Sequence, residues 1–336
     1  MPEELLEQLT EQQQEKVEEK KAPNWISPML ATLTEDYFSD PDWIFERKLD
    51  GERCVVYVQG GEARLGSRNK KEISSSYPEL IDALEDLKAG DFIADGEIVA
   101  FDNGISSFSR LQSRMQQDSP DQKLIKKTPV FLYLFDLLHA HGHDLTGLPL
   151  RARKALLQRL IDFDDPIRYL SHRNEEGEAY REEACEKGWE GIIAKDSTSP
   201  YVHSRSKKWL KFKCVANQEL VIGGYTPPKG SRIGFGALLV GFYEGDKLRY
   251  AGKVGTGYDD ETLERLHGKM QQLERKSSPF ADEVDEGEVH YITPELVGEF
   301  GFTEWTNDHK LRHPRFLGLR DDKNPKNVKK EKVSRS

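Results

Sequence analysis

The sequence predicts two domains: an α+β domain built around antiparallel sheets, followed by a small β-barrel. The chain has 336 residues, which is too long for one ordinary domain and suits two. Short β-rich runs alternate with helical patterns up to Cys214, and few of them form strict βαβ units. After Cys214, short strands alternate with Gly and Pro turns around a single clear helix.

The first domain is expected at 23–215. Runs rich in β-branched and aromatic residues predict its strands, at 43–48, 54–59, 92–101, 129–136, 191–196 and 209–214. Helical patterns lie among them, at 77–87, 108–115, 153–161 and 178–185. This mixture is typical of an α+β domain with antiparallel sheets.

The second domain is expected at 216–322. It contains five or so short strands and one helix, predicted at 259–273. That size and pattern are typical of a small closed barrel such as the OB-fold.

Both ends of the chain differ in amino-acid composition from the two domains. Residues 1–22 predict an acidic, solvated helix that Pro23 ends, because residues 1–21 carry seven Glu against three Lys and few apolar positions. Residues 323–336 are basic and polar, and they predict a flexible tail.

The charge of the chain is unevenly distributed. The net charge is −10, from 49 basic and 59 acidic residues, and such an excess usually argues against a nucleic-acid partner. However, residues 201–215 carry five basic residues and no acid, and residues 309–320 carry four. A local basic footprint is what phosphate binding needs, and Lys207 and Lys208 are candidate DNA contacts. From charge alone, a solvated face is the more common explanation of such runs.

Cysteine usage and hydropathy indicate the compartment. Cys54, Cys185 and Cys214 are odd in number and far apart, so we expect neither a disulfide framework nor a CxxC metal site. No apolar run approaches the ~20 residues of a membrane helix, and the N-terminus lacks the apolar stretch of a secretory signal. We therefore expect a cytoplasmic protein.

A series of short motifs carries the chemistry. The string Lys48-Leu49-Asp50-Gly51 ends one strand, and alone it reads as a hairpin turn with an exposed lysine. Six further motifs follow in order: Ser67-Arg68-Asn69, Asp95-Gly96-Glu97, Phe135-Asp136, Glu190 to Lys195, Trp209 to Lys213, and Arg320-Asp321-Asp322-Lys323. Each has an ordinary explanation, but their joint order does not.

This ordered set resembles the covalent nucleotidyltransferase superfamily of ATP-dependent DNA ligases and mRNA capping enzymes. The resemblance runs over residues 28–323. Within it, the barrel segments GFGALLVGFY, GKVGTGYDD and FTEWTNDHKLRHPRFLGLRDDK look like those of the ligase module of bacterial non-homologous end-joining repair ligases. The resemblance implies a nucleotidyltransferase (adenylylation) domain followed by an OB-fold domain. Lys70 is a departure, because relatives often have Gly after the S-R-N triplet, and this affects the expected placing of Arg68.

The resemblance implies Lys48 as the nucleophile that takes AMP from ATP. AMP then passes to the 5′-phosphate of DNA, and a 3′-hydroxyl completes the phosphodiester bond. Free lysine has a pKa of ≈10.4, so nearby cations must favour its neutral form. Lys211 and Lys213 lie on one face of an alternating strand, where they can lower that pKa and neutralise the α-phosphate.

Other residues receive roles at the same site. As acids at strand ends, Glu97 and Glu190 are candidate ligands of Mg²⁺ (or Mn²⁺) or of ribose, and a surface salt bridge is the ordinary alternative for each. By resemblance, Phe135 stacks on adenine, with core packing as its alternative, and Glu46 lies beside the adenine edge. Arg53 and Arg68 are expected to contact ribose, phosphate or the DNA end, or else to form rim ion pairs.

The barrel contributes a late motif. By resemblance, Arg320 and Lys323 orient the pyrophosphate of ATP when the barrel closes over the pocket, and a short hinge would permit that motion. The remaining candidates are structural: Asp50 and Asp95 are expected mainly to shape turns. His139, His141 and His143 form an H-x-H-x-H string that we expect to be incidental and to lie in a loop.

Several functions share this chemistry. The main expectation is an ATP-dependent DNA ligase that acts as a monomer on nicked or broken duplex DNA. Such an enzyme is expected to be nucleoid-associated, with Ku as a candidate repair partner. An RNA ligase or a GTP-dependent capping guanylyltransferase is the alternative, because no residue points to adenine over guanine. NAD-dependent ligases are disfavoured by the R-x-D-K string and by the missing cysteine cluster, and a decayed, non-catalytic binding protein by the filled charged positions.

Overall fold

A computed structural model describes residues 5–115, 117–214, 216–228, 230, 232–302, 304–306 and 308–331. The chain divides into two units after Cys214, one residue before the predicted end of the first domain. The first unit is mixed α+β and its sheets are mainly antiparallel, so the predicted fold class is confirmed. No helix among the described residues is long and apolar enough to cross a membrane.

The first unit contains a large sheet whose strands pair in the order β1-β9-β8-β6-β4-β5, with β7 beside β6 and β10 parallel to β8. Its strands are β1 (Glu18–Glu19), β4 (Glu52–Gln59), β5 (Glu62–Ser67), β6 (Phe92–Asp102), β7 (Ile105–Ser106), β8 (Val130–Ala140), β9 (His143–Asp144) and β10 (Ile167–Tyr169). We call it the large sheet.

A five-stranded sheet, the small sheet, pairs in the order β11-β3-β12-β13-β2. Its strands are β2 (Leu30–Leu33), β3 (Trp43–Arg47), β11 (His172–Asn174), β12 (Gly191–Asp196) and β13 (Arg205–Lys213). The helices of this unit are α1 (Glu11–Gln14), α2 (Pro78–Glu85), α3 (Phe108–Leu111), α4 (Gln122–Lys127), α5 (Leu150–Leu160) and α6 (Gly177–Glu186).

Strand alternation sorts the apolar residues of this unit into layers. Leu80 of α2 and Leu156 of α5 pack on one face of the large sheet. The other face of that sheet and the small sheet share a second layer, which includes Phe135 and Trp209. Tyr180 of α6 packs on the far face of the small sheet. The middle layer therefore lies between two sheets, and polar side chains at its edge define a site.

The second unit is a curled antiparallel sheet in the order β16-β15-β14-β18-β17, with β21 also on β18. Its elements are β14 (Ala216–Tyr225), β15 (Leu238–Glu244), β16 (Lys247–Val254), α7 (Asp260–Gln271), β17 (Glu274–Arg275), β18 (His290–Phe302), β19 (Glu304–Trp305), β20 (Leu311–Arg312) and β21 (Arg315–Leu319). The Phe316 amide donates to the Thr256 carbonyl at 2.9 Å, so β21 reaches the segment after β16 and the sheet curls around its core.

The N-terminal segment differs from the single solvated helix predicted for it. Its described part contains helical residues at 5–6, the four-residue α1 and then β1, which pairs with β9 at the edge of the large sheet. Leu5 and Leu9 are buried in the first core layer. The prediction was wrong because a free sheet edge offers backbone partners that outweigh local helix propensity.

The predicted flexible tail is also wrong for 323–331. Val328 is 7% exposed in an apolar cluster, and its carbonyl accepts from the Tyr243 amide at 2.7 Å. The amide side chain of Gln218 donates to the Lys329 carbonyl at 3.0 Å. Residues 332–336 lie outside the described residues.

Two of the three cysteines are bonded, contrary to the prediction. Cys185 at the end of α6 and Cys214 after β13 form a disulfide with a Cα–Cα distance of 5.2 Å, within the normal range. They are 29 residues apart in sequence, but the end of α6 and the end of β13 lie close enough for the bond to form. Cys54 is free and buried.

Candidate active site

Three neighbouring strands of the small sheet place the predicted residues on one face. Register and alternation group their inward-facing residues in three rows: Ile44, Lys195 and Trp209; Glu46, Ile193 and Lys211; and Lys48, Gly191 and Lys213. We call this the inner face. Lys48 follows β3 directly, and its amide donates to the Gly191 carbonyl at 2.9 Å.

Two glycines keep the surroundings of Lys48 narrow. A Cβ on Gly51 would lie 2.2 Å from the Ile98 carbonyl oxygen, so the turn after Lys48 approaches β6 too closely for any side chain. Gly191 has φ +142°, and a Cβ there would lie 2.2 Å from the Phe212 carbonyl oxygen. The space between Lys48 and Lys213 therefore contains no side chain from the middle strand.

Lys48 forms an ion pair with Glu190, and we call these two residues the rim pair. The Lys48 Nζ donates to Glu190 Oε2, and the two side chains are 19% and 12% exposed. The structure thus brings together the predicted nucleophile and a predicted metal or ribose ligand at a position that solvent reaches.

A second acid–lysine group lies deeper on the same face. Glu46 receives hydrogen bonds from Lys154 on α5 and from Lys195 on β12, the latter at 2.6 Å. All three side chains are between 1% and 3% exposed. We call Glu46, Lys154 and Lys195 the deep cluster.

The charges of the deep cluster follow from its contacts. Burial resists ionisation of Glu46, but Lys154 and Lys195 outweigh it and hold the pKa of Glu46 below its usual value. Burial lowers the pKa of Lys195 to about 8 despite Glu46. Lys154 also donates to the Phe135 and Leu170 carbonyls at 3.2 and 3.1 Å, and its pKa is raised, since the nearby carboxylate outweighs burial.

Phe135 lies in the middle core layer and is 4% exposed. The Arg53 guanidinium carbon is 4.6 Å from its ring centre and the Lys195 Nζ is 4.1 Å away. Arg53 also forms two 2.6 Å hydrogen bonds to Asp95, which accepts a third from the Tyr201 hydroxyl. Asp95 therefore orients Arg53 from within a strand. The prediction that Asp95 mainly shapes a turn was wrong.

Glu97 and Arg68 lie on the large sheet. Glu97 is opposite Arg53 on β4 and Tyr133 on β8, so it shares their face. Arg68 follows β5 in a tight turn that Lys70 closes with φ +59°. A glycine would adopt this left-handed conformation freely, so Lys70 occupies a backbone conformation that favours glycine.

Asp50 connects the nucleophile turn to α3. Its carboxylate accepts from the Phe108 amide at 3.0 Å, and its own amide donates to the Ser106 hydroxyl at 3.1 Å. This role matches the expected shaping of the turn.

The candidate DNA lysines lie near the start of β13. Lys207 is exposed, and the Lys208 side chain is 59% exposed while its Nζ lies 2.8 Å from Asp196. Both are open to solvent, so solvation and DNA contact remain alternatives for them.

The R-x-D-K residues lie in the second unit. The Arg320 guanidinium forms two hydrogen bonds to Asp322, at 2.9 and 3.0 Å, and one to Glu299 at 2.8 Å. Lys323 lies 2.9 Å from Glu219. Acids of the same unit thus hold both cations.

The histidine string lies in a β-hairpin, where a loop had been predicted. His139 is on β8, where it is 4% exposed and its Nε2 is 2.7 Å from the Lys20 carbonyl oxygen. His141 is in the turn with φ +48°, and His143 is on β9. The described residues include no cluster of three or more His, Cys, Asp or Glu side chains that could hold a metal ion.

Sequence reasoning gave no role to Lys195, although this residue ends one of the motifs, and it missed Lys154, Tyr201 and the buried pairing of Asp136 with Arg153. Alternation along β12 places Lys195 on one face with Ile193 and Gly191, but only the observed register with β3 and β13 shows that this is the inner face. Lys154 gave no signal, since nothing in a helical pattern marks one lysine as buried. The pair of Asp136 and Arg153, 2.7 Å apart and fully buried, gave no signal either.

Family models match both units. The model for the ATP dependent DNA ligase domain matches residues 28–213, and that for the ATP dependent DNA ligase C terminal region matches residues 231–323. The chain is 35% identical over 319 residues to the multifunctional non-homologous end joining protein LigD of Pseudomonas aeruginosa, which covers 92% of this chain and 37% of that protein. It is 34% identical over 292 residues to a DNA ligase of Natronomonas pharaonis, covering 83% of this chain and 52% of that protein.

A solved structure agrees with these relatives. The mycobacterial DNA ligase D complexed with ATP and MES matches with a TM-score of 0.66 and 32% identity, over 90% of this chain and 97% of that chain. The chain spans about two fifths to one half of the length of the curated relatives described above. The matched regions include Lys48, Glu190 and the R-x-D-K string, so this chain belongs to the ATP-dependent DNA ligase family.

Proposed function

We propose that this chain joins DNA ends with ATP through an AMP group carried on Lys48. The observation that supports this most directly is the rim pair, which places a lysine amine beside a carboxylate on the face that also carries Lys211 and Lys213. Nucleophilic lysines need a neighbouring base or cations to favour the neutral amine, and this face supplies both.

The first step forms a bond between the Lys48 Nζ and the α-phosphorus of ATP and breaks the bond to pyrophosphate. Lys48 must first lose a proton, and Glu190 is the acceptor already bonded to it. Lys211 and Lys213 then neutralise charge on the phosphate oxygens in the transition state. In the second step AMP passes to a DNA 5′-phosphate, and in the third a 3′-hydroxyl displaces AMP.

The acids of the site suit Mg²⁺. Glu97 and Glu190 supply carboxylate oxygens, and Mg²⁺ is usually held by one or two carboxylates together with waters and substrate phosphates. A bound Mg²⁺ would neutralise charge on the triphosphate. The chain's own residues bind and orient the nucleotide.

The substrate is proposed to be nicked or broken duplex DNA, because the relatives are named for DNA ligation and non-homologous end joining. Arg68, Lys207 and Lys208 are proposed DNA contacts, and Ku is a candidate partner at broken ends. Glu46, Arg53 and Phe135 are proposed nucleotide contacts.

The test uses ATP or GTP labelled at the α-phosphate, followed by denaturing electrophoresis. We expect a covalent label from ATP with Mg²⁺ and sealing of a nicked DNA duplex. A label from GTP alone would favour a guanylyltransferase, and sealing of RNA but not DNA would favour an RNA ligase. No label from either nucleotide would contradict the proposal.

A further inference from the structure

We propose that Lys154 and Lys195 set the nucleobase preference of this chain by keeping Glu46 a charged carboxylate that can only accept hydrogen bonds. Such an acceptor binds the 6-amino group of adenine and repels the 6-oxo group of guanine or hypoxanthine. The proposal rests on the proposed function, and it answers the question of adenine against guanine that the sequence leaves open.

The position of Glu46 suits contact with the base. It lies two residues before Lys48 on the inner face, about 7 Å along the strand. A nucleotide whose α-phosphate is at Lys48 can extend its base along this face towards Glu46. The base edge would then meet a carboxylate and not water, since Glu46 is 1% exposed.

Glu46 keeps acceptor capacity for a ligand. An ionised carboxylate offers about four lone-pair sites. In the part of the chain that the structure describes, its hydrogen bonds come from Lys154 on Oε1 and from Lys195 on Oε2. Each oxygen can therefore accept once more, and neither can donate.

Lys154 and Lys195 keep Glu46 ionised. A buried carboxylate without cations is driven towards its protonated form, which carries an O–H and can donate to a 6-oxo group. Lys154 and Lys195 reverse that tendency and hold the pKa of Glu46 below its usual value, although burial opposes them. They are positioning residues, because they act on the base through Glu46.

The other groups around Glu46 do not replace these two cations. Burial, followed by the nearby Lys154, lowers the pKa of His172 on β11 to about 4, so this residue is neutral at working pH. Burial raises the pKa of Tyr169 on β10, so it also stays neutral. Asp136 on β8 is bonded to Arg153 on α5, and these charges offset each other.

Contacts of Lys195 favour it as the residue to change. Its Nζ lies 4.1 and 4.0 Å from the ring centres of Phe135 and Trp209, so methionine can replace its stem among the same rings. Glu46 would then keep one cation against the same burial, so its pKa should rise.

The experiment measures the transfer of AMP from ATP, and of IMP from ITP, to the protein. Both rates are measured under single-turnover conditions from pH 6 to 9. Hypoxanthine, the base of ITP, has the 6-oxo group of guanine but lacks its 2-amino group. Its N1 carries a hydrogen where adenine N1 accepts one, so the ratio of the two rates reports on the 6-position and N1 together. The proteins are the wild type, Lys195→Met and the matched control Lys126→Met, whose lysine is exposed on α4.

We expect the wild type and Lys126→Met to prefer ATP by a factor that does not change with pH. In Lys195→Met the preference should fall at least about tenfold at pH 6 and recover towards pH 9, as Glu46 ionises. A purely structural role of Lys195 would lower both rates together and leave the ratio flat.

Glu46→Gln gives a second, independent reading. Its amide can donate to a 6-oxo group at every pH, so the preference for ATP should fall without any pH dependence. If Lys195→Met does not fold, this variant decides. An unchanged ratio in the folded variants, or a wild type that uses ITP as well as ATP, overturns the inference. Absence of any label from the wild type would instead contradict the proposed function.

Discussion

The site contains two acid–lysine groups, one around Glu46 on β3 and one around Lys48, two residues further along the chain. The two groups differ in their exposure to solvent. The rim pair of Lys48 and Glu190 is 19% and 12% exposed. The deep cluster of Glu46, Lys154 and Lys195 is between 1% and 3% exposed. The same residue types therefore stand in two different dielectric environments on one sheet face.

The difference suits two tasks. An ion pair that water reaches can open and re-form at small cost, as a lysine must do when it loses a proton in each turnover. A buried pair is costly to break, because the partner left behind is a charge without solvation. We therefore expect the reacting lysine at the rim and a carboxylate of fixed hydrogen-bonding character in the interior.

Replacing the amine of the rim pair should have the largest effect. Lys48→Ala is expected to abolish the covalent nucleotide label, since the proposed phosphoramidate forms on the amine that this change removes, while the protein stays folded. The measurement uses labelled ATP and denaturing electrophoresis, with circular dichroism for folding and Lys123→Ala, an exposed lysine on α4, as control. Undiminished labelling of Lys48→Ala would rule out this residue as the nucleophile.

The second unit contains an ion pair of Lys323 and Glu219 that is partly exposed, as the rim pair is. The Lys323 side chain is 13% exposed. Lys323→Ala should slow AMP transfer to Lys48 by roughly 10²–10³, because ATP presents β and γ phosphates for Lys323 to bind. A pre-adenylylated nick lacks those phosphates, so its sealing should stay near the normal rate. Equal losses in the two assays would assign Lys323 to DNA binding or to folding.

A stability measurement separates the two groups directly. Lys154→Met should lower the free energy of unfolding by about 3 kcal/mol or more, because one of the two cations that hold Glu46 is removed. Glu190→Gln should cost about 1 kcal/mol or less, since its pair is partly solvated. Urea titration at pH 7 checks both, and similar losses would mean that exposure does not distinguish the groups.

The N-terminal segment offers a smaller test, away from both groups. Leu9→Ala should destabilise the protein by about 2 kcal/mol, near the low end for a buried leucine, and leave AMP uptake at 25 °C unchanged. Leu9 is 7% exposed in the core layer beneath the large sheet, on the face opposite the site. Thr10→Ala at the cap of α1 is a surface comparison, and equal stability of the two variants would argue against packing by Leu9.

The smallest effect is expected from the exposed lysines of β13. Changing Lys207 and Lys208 together to Ala should flatten the dependence of nick binding on salt by up to about 0.9 per lost phosphate contact. Binding isotherms at several salt concentrations give the slope. An unchanged slope would assign both lysines to a solvated face, where Lys208 already has Asp196 as a partner.

Much of the fold followed from local patterns. Runs rich in β-branched and aromatic residues predicted six strands between 43 and 214 that the structure contains. Alternation placed Lys211 and Lys213 on one face, because side-chain direction in a strand depends only on parity. The α+β class and the barrel followed from element order. Family resemblance then supplied the roles of Glu46, Phe135 and Arg320, which remain predictions.

The rest depended on contacts between distant segments. Lys154 lies on a helix whose pattern does not distinguish a buried lysine from a solvated one, and its partner Glu46 is 108 residues away. The disulfide and the pairing of β1 with β9 likewise join segments that no local pattern relates. Sequence reasoning proposed the reacting residues, whereas the contacts that hold these side chains in place came from the structure.

The disulfide gives the active site an unusual topology. The bond between Cys185 and Cys214 closes a covalent ring that contains Glu190, all of β12 and all of β13. An unfolded chain that keeps this bond cannot move Glu190 far from Lys213, and the lost freedom of such a ring is worth roughly 3–4 kcal/mol. The thiol content of the buffer therefore decides which denatured ensemble the folded protein is measured against.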